Sequence, residues 1–198
     1  DEPENNNQKI ETIENEIKKC KKCGNLQKQT DTYIQYGNTP FIIIGESPAK
    51  DGWIVSKRAF YNKQGKLQAS GRVLAKLLSI LDYTIEDIYF TECCKCIIED
   101  RKTLDKCSQN CKPILLKQLQ NVNCDIIITM GKSPTQVLLD KKIGKFSEVV
   151  GQSFTVKIGD KEFKLIPVYH PSPLNPKGYT GNIPIFNTIK EMISKQHI

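Results

Sequence analysis

Two short apolar runs constrain this chain more than anything else in it. Phe41-Ile-Ile-Ile44 is stopped by Gly45, and residues 125–130 (Asp-Ile-Ile-Ile-Thr-Met) are stopped by Gly131. Neither alternates as a strand with one wet face would, so both read as strands buried on both faces, as in parallel sheets. Residues 88–91 and 163–169 add two further strands, the last running into His170. Helical patterning lies between and around them. Ile10, Ile13 and Ile17 share one face over residues 9–22, and helices are also predicted over 70–81, 113–119, 133–139 and 183–195. Strands alternating with helices predict an α/β fold: three layers, α/β/α, around a central four-stranded, mainly parallel sheet. The 198 residues suit a single domain. Residues 1–8 are expected to be disordered, and 9–30 to form an amino-terminal helix with the first cysteine pair. No run approaches the ~20 apolar residues of a membrane span, and the first residues are acidic and polar. A cytoplasmic protein is therefore expected.

The eight cysteines stand at 20, 23, 93, 94, 96, 107, 111 and 124. A chain this long does not need disulfide staples, and a reducing compartment disfavours them. Cys20-Lys-Lys-Cys23 has the spacing of a metal-binding knuckle, and a second group (Cys93, Cys94, Cys96, Cys107, Cys111) follows some seventy residues on. One pair from each group would close a four-thiolate site, for which zinc and an iron–sulfur cluster are equally suited by spacing. Cys124 and Cys93 read instead as small core residues.

Ligands of doubly wound sheets bind outside the carboxyl ends of the strands. The segments at those ends are 45–50, 92–96, 131–133 and 170–176, and they are expected to converge on one site. Gly45-Glu-Ser-Pro-Ala49 combines a tight turn with a carboxylate at a strand end. His170-Pro-Ser-Pro-Leu-Asn-Pro176 places one of only two histidines before a loop stiffened by proline. Lys and Arg number 29 against 22 Asp and Glu, for a net charge of +7, which suits a polyanionic partner.

Together these motifs resemble the uracil-DNA glycosylase superfamily, in particular its iron–sulfur branch. Cys20-x2-Cys23 is similar to that branch's first cluster pair, and Gly45-Glu-Ser-Pro-Ala49 to its G-E-x-P-G motif, with Ala49 where glycine is usual. Phe60, with Ser70-Gly71 opening a helix, resembles the segment that carries the base-stacking aromatic. Tyr89-Phe-Thr-Glu-Cys-Cys-Lys-Cys96 looks like Y-x-T-N-x-x-K-C, Cys111-Lys-Pro-Ile-Leu115 like C-R-P-x-L, and Ile128-Thr-Met-Gly131 like the third-strand L-x-G. Tyr169-His-Pro-Ser-Pro173 resembles the final His-Pro motif, and its continuation is similar to the loop of single-strand-selective uracil glycosylases.

The resemblance implies a monofunctional glycosylase that flips uracil or a related deaminated base out of DNA and hydrolyses its N-glycosidic bond during base-excision repair. It implies a 4Fe–4S cluster on Cys20, Cys23, Cys96 and Cys111, with Cys107 as rival for the fourth ligand and zinc as the alternative metal. Glu46 would act on water or on the cationic sugar, and His170 on the base O2. Gly45, Ser47, Phe60 and Glu92 would hold the base, with Tyr61 and Trp53 as alternative stacking platforms. Lys50, Lys132 and Lys177 would hold phosphates, and Ser172, Pro173 and Asn175 would enter a groove. A monomer associated with the nucleoid is expected.

One position departs from the family pattern. Where the family has Asn, which donates to uracil O4 and accepts from N3–H, this chain has Glu92. An ionised Glu only accepts. Either Glu92 is protonated, or it faces away, or the substrate is not plain uracil. Two competing readings follow: a non-catalytic nucleic-acid-binding or lesion-binding protein with a structural four-cysteine metal site, and a superfamily member that traps a lesion without turnover.

Overall fold

The computed structural model describes residues 6–23 and 34–196. Phe41–Gly45 (β2) and Ile126–Met130 (β4) are buried at every position, as their unbroken apolar sequence requires. They pair in parallel at the centre of the sheet, with Phe41 opposite Ile126. Tyr89–Glu92 (β3) flanks β2 in parallel, and Lys161–Val168 (β6) flanks β4 in parallel. These are the four expected strands. The sheet nevertheless has six, in the order β1-β3-β2-β4-β6-β5. Ile34–Gln35 (β1) and Phe154–Ile158 (β5) are antiparallel edges. β1 is too short to carry a pattern. β5 does alternate, showing one face to solvent, and it turns into β6 through Gly159-Asp160 with Gly159 at φ 58°. That is a hairpin signal, since a left-handed glycine at the first loop position matches the twist of the strands.

Alternation along β2 sends Phe41 and Ile43 to one face and Ile42 and Ile44 to the other. The first face packs under Ala69–Ile80 (α3) and Ile183–Lys195 (α6), through Leu74, Leu77, Leu78, Phe186 and Ile189. The second packs under Leu104–Leu119 (α4) and Lys132–Leu139 (α5), through Leu115, Leu119, Val137 and Leu138. This is the three-layer arrangement. α4 contains the whole of the expected helical stretch 113–119 and extends it back to Leu104. Pro113 suits a first helical turn, yet here it lies inside the helix. The helix runs through it because the flanking turns are anchored by buried Cys107, Cys111, Leu115 and Leu119.

Asn6–Lys19 (α1) starts earlier than expected, so of residues 1–8 only 1–5 lie outside the described residues. It ends at Lys19, just before the first cysteine, with Lys18 and Lys19 suiting the negative end of the helix dipole. Residues 24–30 of the expected amino-terminal unit lie outside the described residues. α1 docks on α4 through Ile13, Ile17 and Ile114, beside an ion pair between Lys117 and Glu16 at 2.6 Å. No described helix is long and apolar enough to cross a membrane.

Candidate active site and thiol cluster

The carboxyl ends of β2, β3, β4 and β6 enclose a cavity of about 120 Å³. Glu46, Phe60, Glu92, Met130 and His170 all line it, so the segments 45–50, 92–96 and 170–176 meet there, while β4 contributes Met130 rather than a residue of 131–133. Ladder register accounts for much of this. Gly45 stands opposite Glu92, and the pairing continues one step past the strands, where the Cys93 and Cys94 amides donate to the Gly45 and Glu46 carbonyls at 2.8 Å.

Gly45 contributes by what it lacks. A Cβ there would stand 2.5 Å from Glu92 Oε2, so the glycine makes room for the carboxyl. Gly131 does the same for Glu46, whose Oε1 lies 2.9 Å from where a Cβ would be. Glu46 Oε2 accepts from the Arg101 guanidinium at 2.9 Å. Arg101, in the turn leading to α4, belongs to no motif, and only the structure brings it to the site.

Phe60 follows Trp53–Ser56 (α2) and adopts φ 70°, a left-handed conformation that costs a bulky residue of order 1–3 kcal/mol. Its ring lies 4.4 Å from that of Phe90, and its carbonyl accepts from the Gln68 amide at 2.7 Å. A Cβ on Gly71 would stand 2.9 Å from Phe60 Cβ, so this glycine lets α3 approach. Phe60 is thus held as a rigid wall. Trp53 also lines the cavity, with its ring 5.7 Å from Phe90. Tyr61 is engaged elsewhere, donating to Glu86 beneath the Arg58 guanidinium.

His170 is held by a residue that the motifs did not single out. Asn182 is fully buried; its amide accepts from the Tyr169 N–H at 2.9 Å and donates to the Tyr169 carbonyl at 2.8 Å and the Gly178 carbonyl at 2.9 Å. It closes the loop after β6 on itself. Burial pushes the His170 imidazolium pKa down, and Arg101 adds to this while Glu46 opposes it, so the ring is neutral at neutral pH. Burial also dominates at Glu92, pushing its carboxyl up to about 8 against the opposing pull of Lys95, with Glu46 adding to the rise. Lys95 is itself only 2% exposed and is saturated by Thr91 Oγ1 at 2.7 Å, Gln118 Oε1 at 2.6 Å and the Glu92 carbonyl.

The remaining expected site residues lie along the rim. Ser47 lines the cavity. Lys50, Lys177 and Pro173 are exposed. Lys132 is exposed and donates to the Gly144 carbonyl at 3.1 Å. Ser172 Oγ accepts from the Leu174 amide at 3.2 Å, and Asn175 Oδ1 from the Lys177 amide at 3.0 Å, which tightens the loop into consecutive turns.

The thiols assemble behind the pocket, joined to it at Cys94, whose amide donates to the Glu46 carbonyl. Cys94, Cys107 and Cys111 form a buried group with Leu104, against which Cys23 and Ile98 pack. Cys94 bonds to Cys111, and this holds the Cys111 thiol below its ordinary pKa. Cys107 hydrogen-bonds with Cys23, and burial pushes the Cys96 thiol up to about 12, with Cys111, Cys23, Cys20 and Cys107 nearby adding to the rise. Asn110 Nδ2 donates to Cys23 Sγ at 3.3 Å. None of the eight cysteines forms a disulfide. Among the described residues no three His, Cys, Asp or Glu side chains gather closely enough for a single ion. The donor set is nonetheless the soft, four-thiolate kind that suits an iron–sulfur cluster, in which each thiolate binds a different iron. Cys111 and Cys107 both face the group, so both remain in reach. Cys93 and Cys124 sit in the second hydrophobic layer, as core residues. A larger groove, about 630 Å³, lies between the end of α1 and α4 and touches none of the pocket residues.

Comparison with known proteins gives a consistent result. Residues 32–187 match the family model described as the uracil DNA glycosylase superfamily. The chain is 28% identical to the type-4 uracil-DNA glycosylase of Saccharolobus solfataricus, over 96% of this chain and 88% of that protein. It is 26% identical to the type-4 enzyme of Archaeoglobus fulgidus, over 82% and 81% respectively. It is 27% identical to that of Thermotoga maritima, over 83% and 82%.

Proposed function

The chain belongs to the uracil DNA glycosylase superfamily, and from that premise we propose that it is a monofunctional base-excision glycosylase. It hydrolyses the N-glycosidic bond of uracil, or a related deaminated base, in DNA. The observation that carries this reading is the convergence of Glu46, Phe60 and His170, from three separate segments, on one small cavity.

A stacked base cannot be attacked in the duplex, so the nucleotide is extruded, at a few kcal/mol. Exposed Lys50, Lys132 and Lys177 supply cations for phosphates, an attraction that weakens steeply with salt. The loop of Ser172, Pro173 and Asn175 enters the groove beside the extruded nucleotide. The base slides against Phe60, where stacking is worth about 1–3 kcal/mol. The bond from C1′ to the base nitrogen then breaks, and its electron pair leaves with the base. Neutral His170 donates its N–H to the base O2, where that charge collects. Glu46 faces the sugar, stabilises the cationic C1′ and takes the proton of the water whose oxygen bonds to it, a proton that then leaves to the departed base anion or to solvent. Among the described residues no lysine lines the cavity, which suits hydrolysis without lyase chemistry.

Cys20, Cys23, Cys96 and Cys111 would hold a 4Fe–4S cluster, with Cys107 beside them. Such a group would supply a fixed cross-link between the end of α1, the loop after β3 and α4 rather than redox chemistry. The cavity is complete within one chain, so a monomer suffices, and a DNA substrate places it in the cytoplasm at the nucleoid.

The test is cleavage of oligonucleotides carrying uracil, hypoxanthine or xanthine, followed by alkali to cut abasic sites. Release of uracil is expected, with a fall of about 10²–10³-fold in His170→Ala. No release from any of these substrates by folded, DNA-binding protein would overturn the reading.

A further inference from the structure

Glu92 is a titratable pocket residue whose chemistry the proposed reaction does not use, and its placement is specific. Phe90 and Glu92 are two apart on β3 and so project from the same face. Phe90 backs the Phe60 ring, and Glu92 lines the cavity next to that pair. Its carboxyl lies across Gly45, which has no side chain to displace it. Phe60, Glu92, His170 and Glu46 thus share the lining of one small cavity.

Glu92 is half-buried and opens on the cavity, and among the described residues no cation pairs with its carboxyl there. The Glu46 carboxylate, on the loop after β2, already occupies the cavity, and Arg101 is paired to it. Lys95 is the nearest ammonium, but Thr91, Gln118 and the Glu92 carbonyl fill its coordination. His170, after β6, is neutral, and so is Cys93, whose thiol is pushed up to about 12 by burial. These are the titratable and charged groups that face Glu92 from the surrounding elements.

We propose that Glu92 is the base-reading residue of this pocket and works as a neutral carboxylic acid, its O–H donating to O4 and its C=O accepting from N3–H of a uracil-type base. The acid thereby offers the same donor and acceptor pair as a carboxamide. Unlike a carboxamide it can lose the donor: once ionised, it sets an acceptor against O4. Base excision is then switched off by alkali through Glu92, in the range where burial places its ionisation, about 8. The inference rests on the glycosylase reading.

The experiment is single-turnover uracil release from single-stranded oligonucleotide between pH 6.5 and 9, with wild type and Glu92→Gln side by side. Gln keeps the donor, the acceptor and the volume, so ionisation of the substrate or of any other group affects both proteins alike. The wild-type rate is expected to fall relative to that of Glu92→Gln by roughly 4- to 10-fold across this range, because ionisation at about 8 leaves about a tenth of the carboxyl neutral at pH 9 and the ionised form loses one bidentate base contact. Parallel profiles, with wild type active, would overturn the role of Glu92 and leave the glycosylase reading intact. So would a Glu92→Gln protein that is inactive at pH 6.5 although folded, since the carboxyl would then act other than by reading the base. No release by wild type at any pH would overturn both.

Discussion

The pocket walls are strand ends whose spacing is set by the sheet ladder, whereas the thiols are carried by a helix end, a loop and a second helix that meet through side-chain packing. Gly45, Glu92, Met130 and Val168 are placed by backbone pairing across β3, β2, β4 and β6. α1 and α4 touch through three isoleucines and one ion pair. The difference teaches what each region needs. The pocket is pre-formed by the same bonds that make the core, whereas α1 is held beside the thiols by a small apolar contact and one surface ion pair.

The largest expected effect tests that division. Cys96→Ser should abolish visible iron–sulfur absorption and lower Tm by about 10 °C, as a loss of roughly 3 kcal/mol does in a chain of this size. Uracil release per folded molecule should fall far less than in His170→Ala. Equal losses in the two variants would show that the regions are one cooperative unit.

The next effect lies inside the pocket. The folded-state carboxyl of Glu92 ionises at about 8, above its ordinary value of 4.5. A raised pKa means that its contribution is fully present below 4.5 and is lost as pH rises towards 8. Glu92→Gln has nothing to ionise. Its Tm should therefore gain on wild type steadily between pH 5 and 8, by about 1.4 kcal/mol of stability per pH unit at most. A constant difference over that interval would mean that Glu92 is ionised in the folded protein.

A smaller effect concerns the His170 loop. Asn182→Ala removes three hydrogen bonds from a buried position and should cost about 1–3 kcal/mol, read by urea denaturation. It should also lower kcat more than it raises KM, because it moves His170 and leaves the Phe60 wall in place. Unchanged kcat would assign Asn182 to stability alone.

Much of the fold was legible because it depends on local pattern. Unbroken apolar runs marked β2 and β4, and glycines marked where they stop. The edge strands were missed for different reasons: β1 is two residues long, and β5 carries its signal in the Gly159-Asp160 turn rather than in apolar content. Residues 113–119 were legible as helix, but its first two turns were not, since residues 104–112 carry cysteines and polar residues whose burial comes from packing. Within the site, Glu46, Phe60, Glu92 and His170 were found from motifs, most of them at strand ends. Arg101 and Asn182 were not, because each acts through a partner far away in sequence or through a folded loop.

The sequence by itself determined the parallel core, the strand-end motifs and the set of thiols, all of which follow from which residues are apolar, which are glycine and how they are spaced. Only the tertiary structure decided the state of those groups. Whether the Glu92 carboxyl is neutral depends on how much water reaches it and on which cations are already engaged. Which thiols face one another depends on α1 docking on α4. Desolvation and long-range charge are properties of the packed interior, and no run of neighbouring residues encodes them.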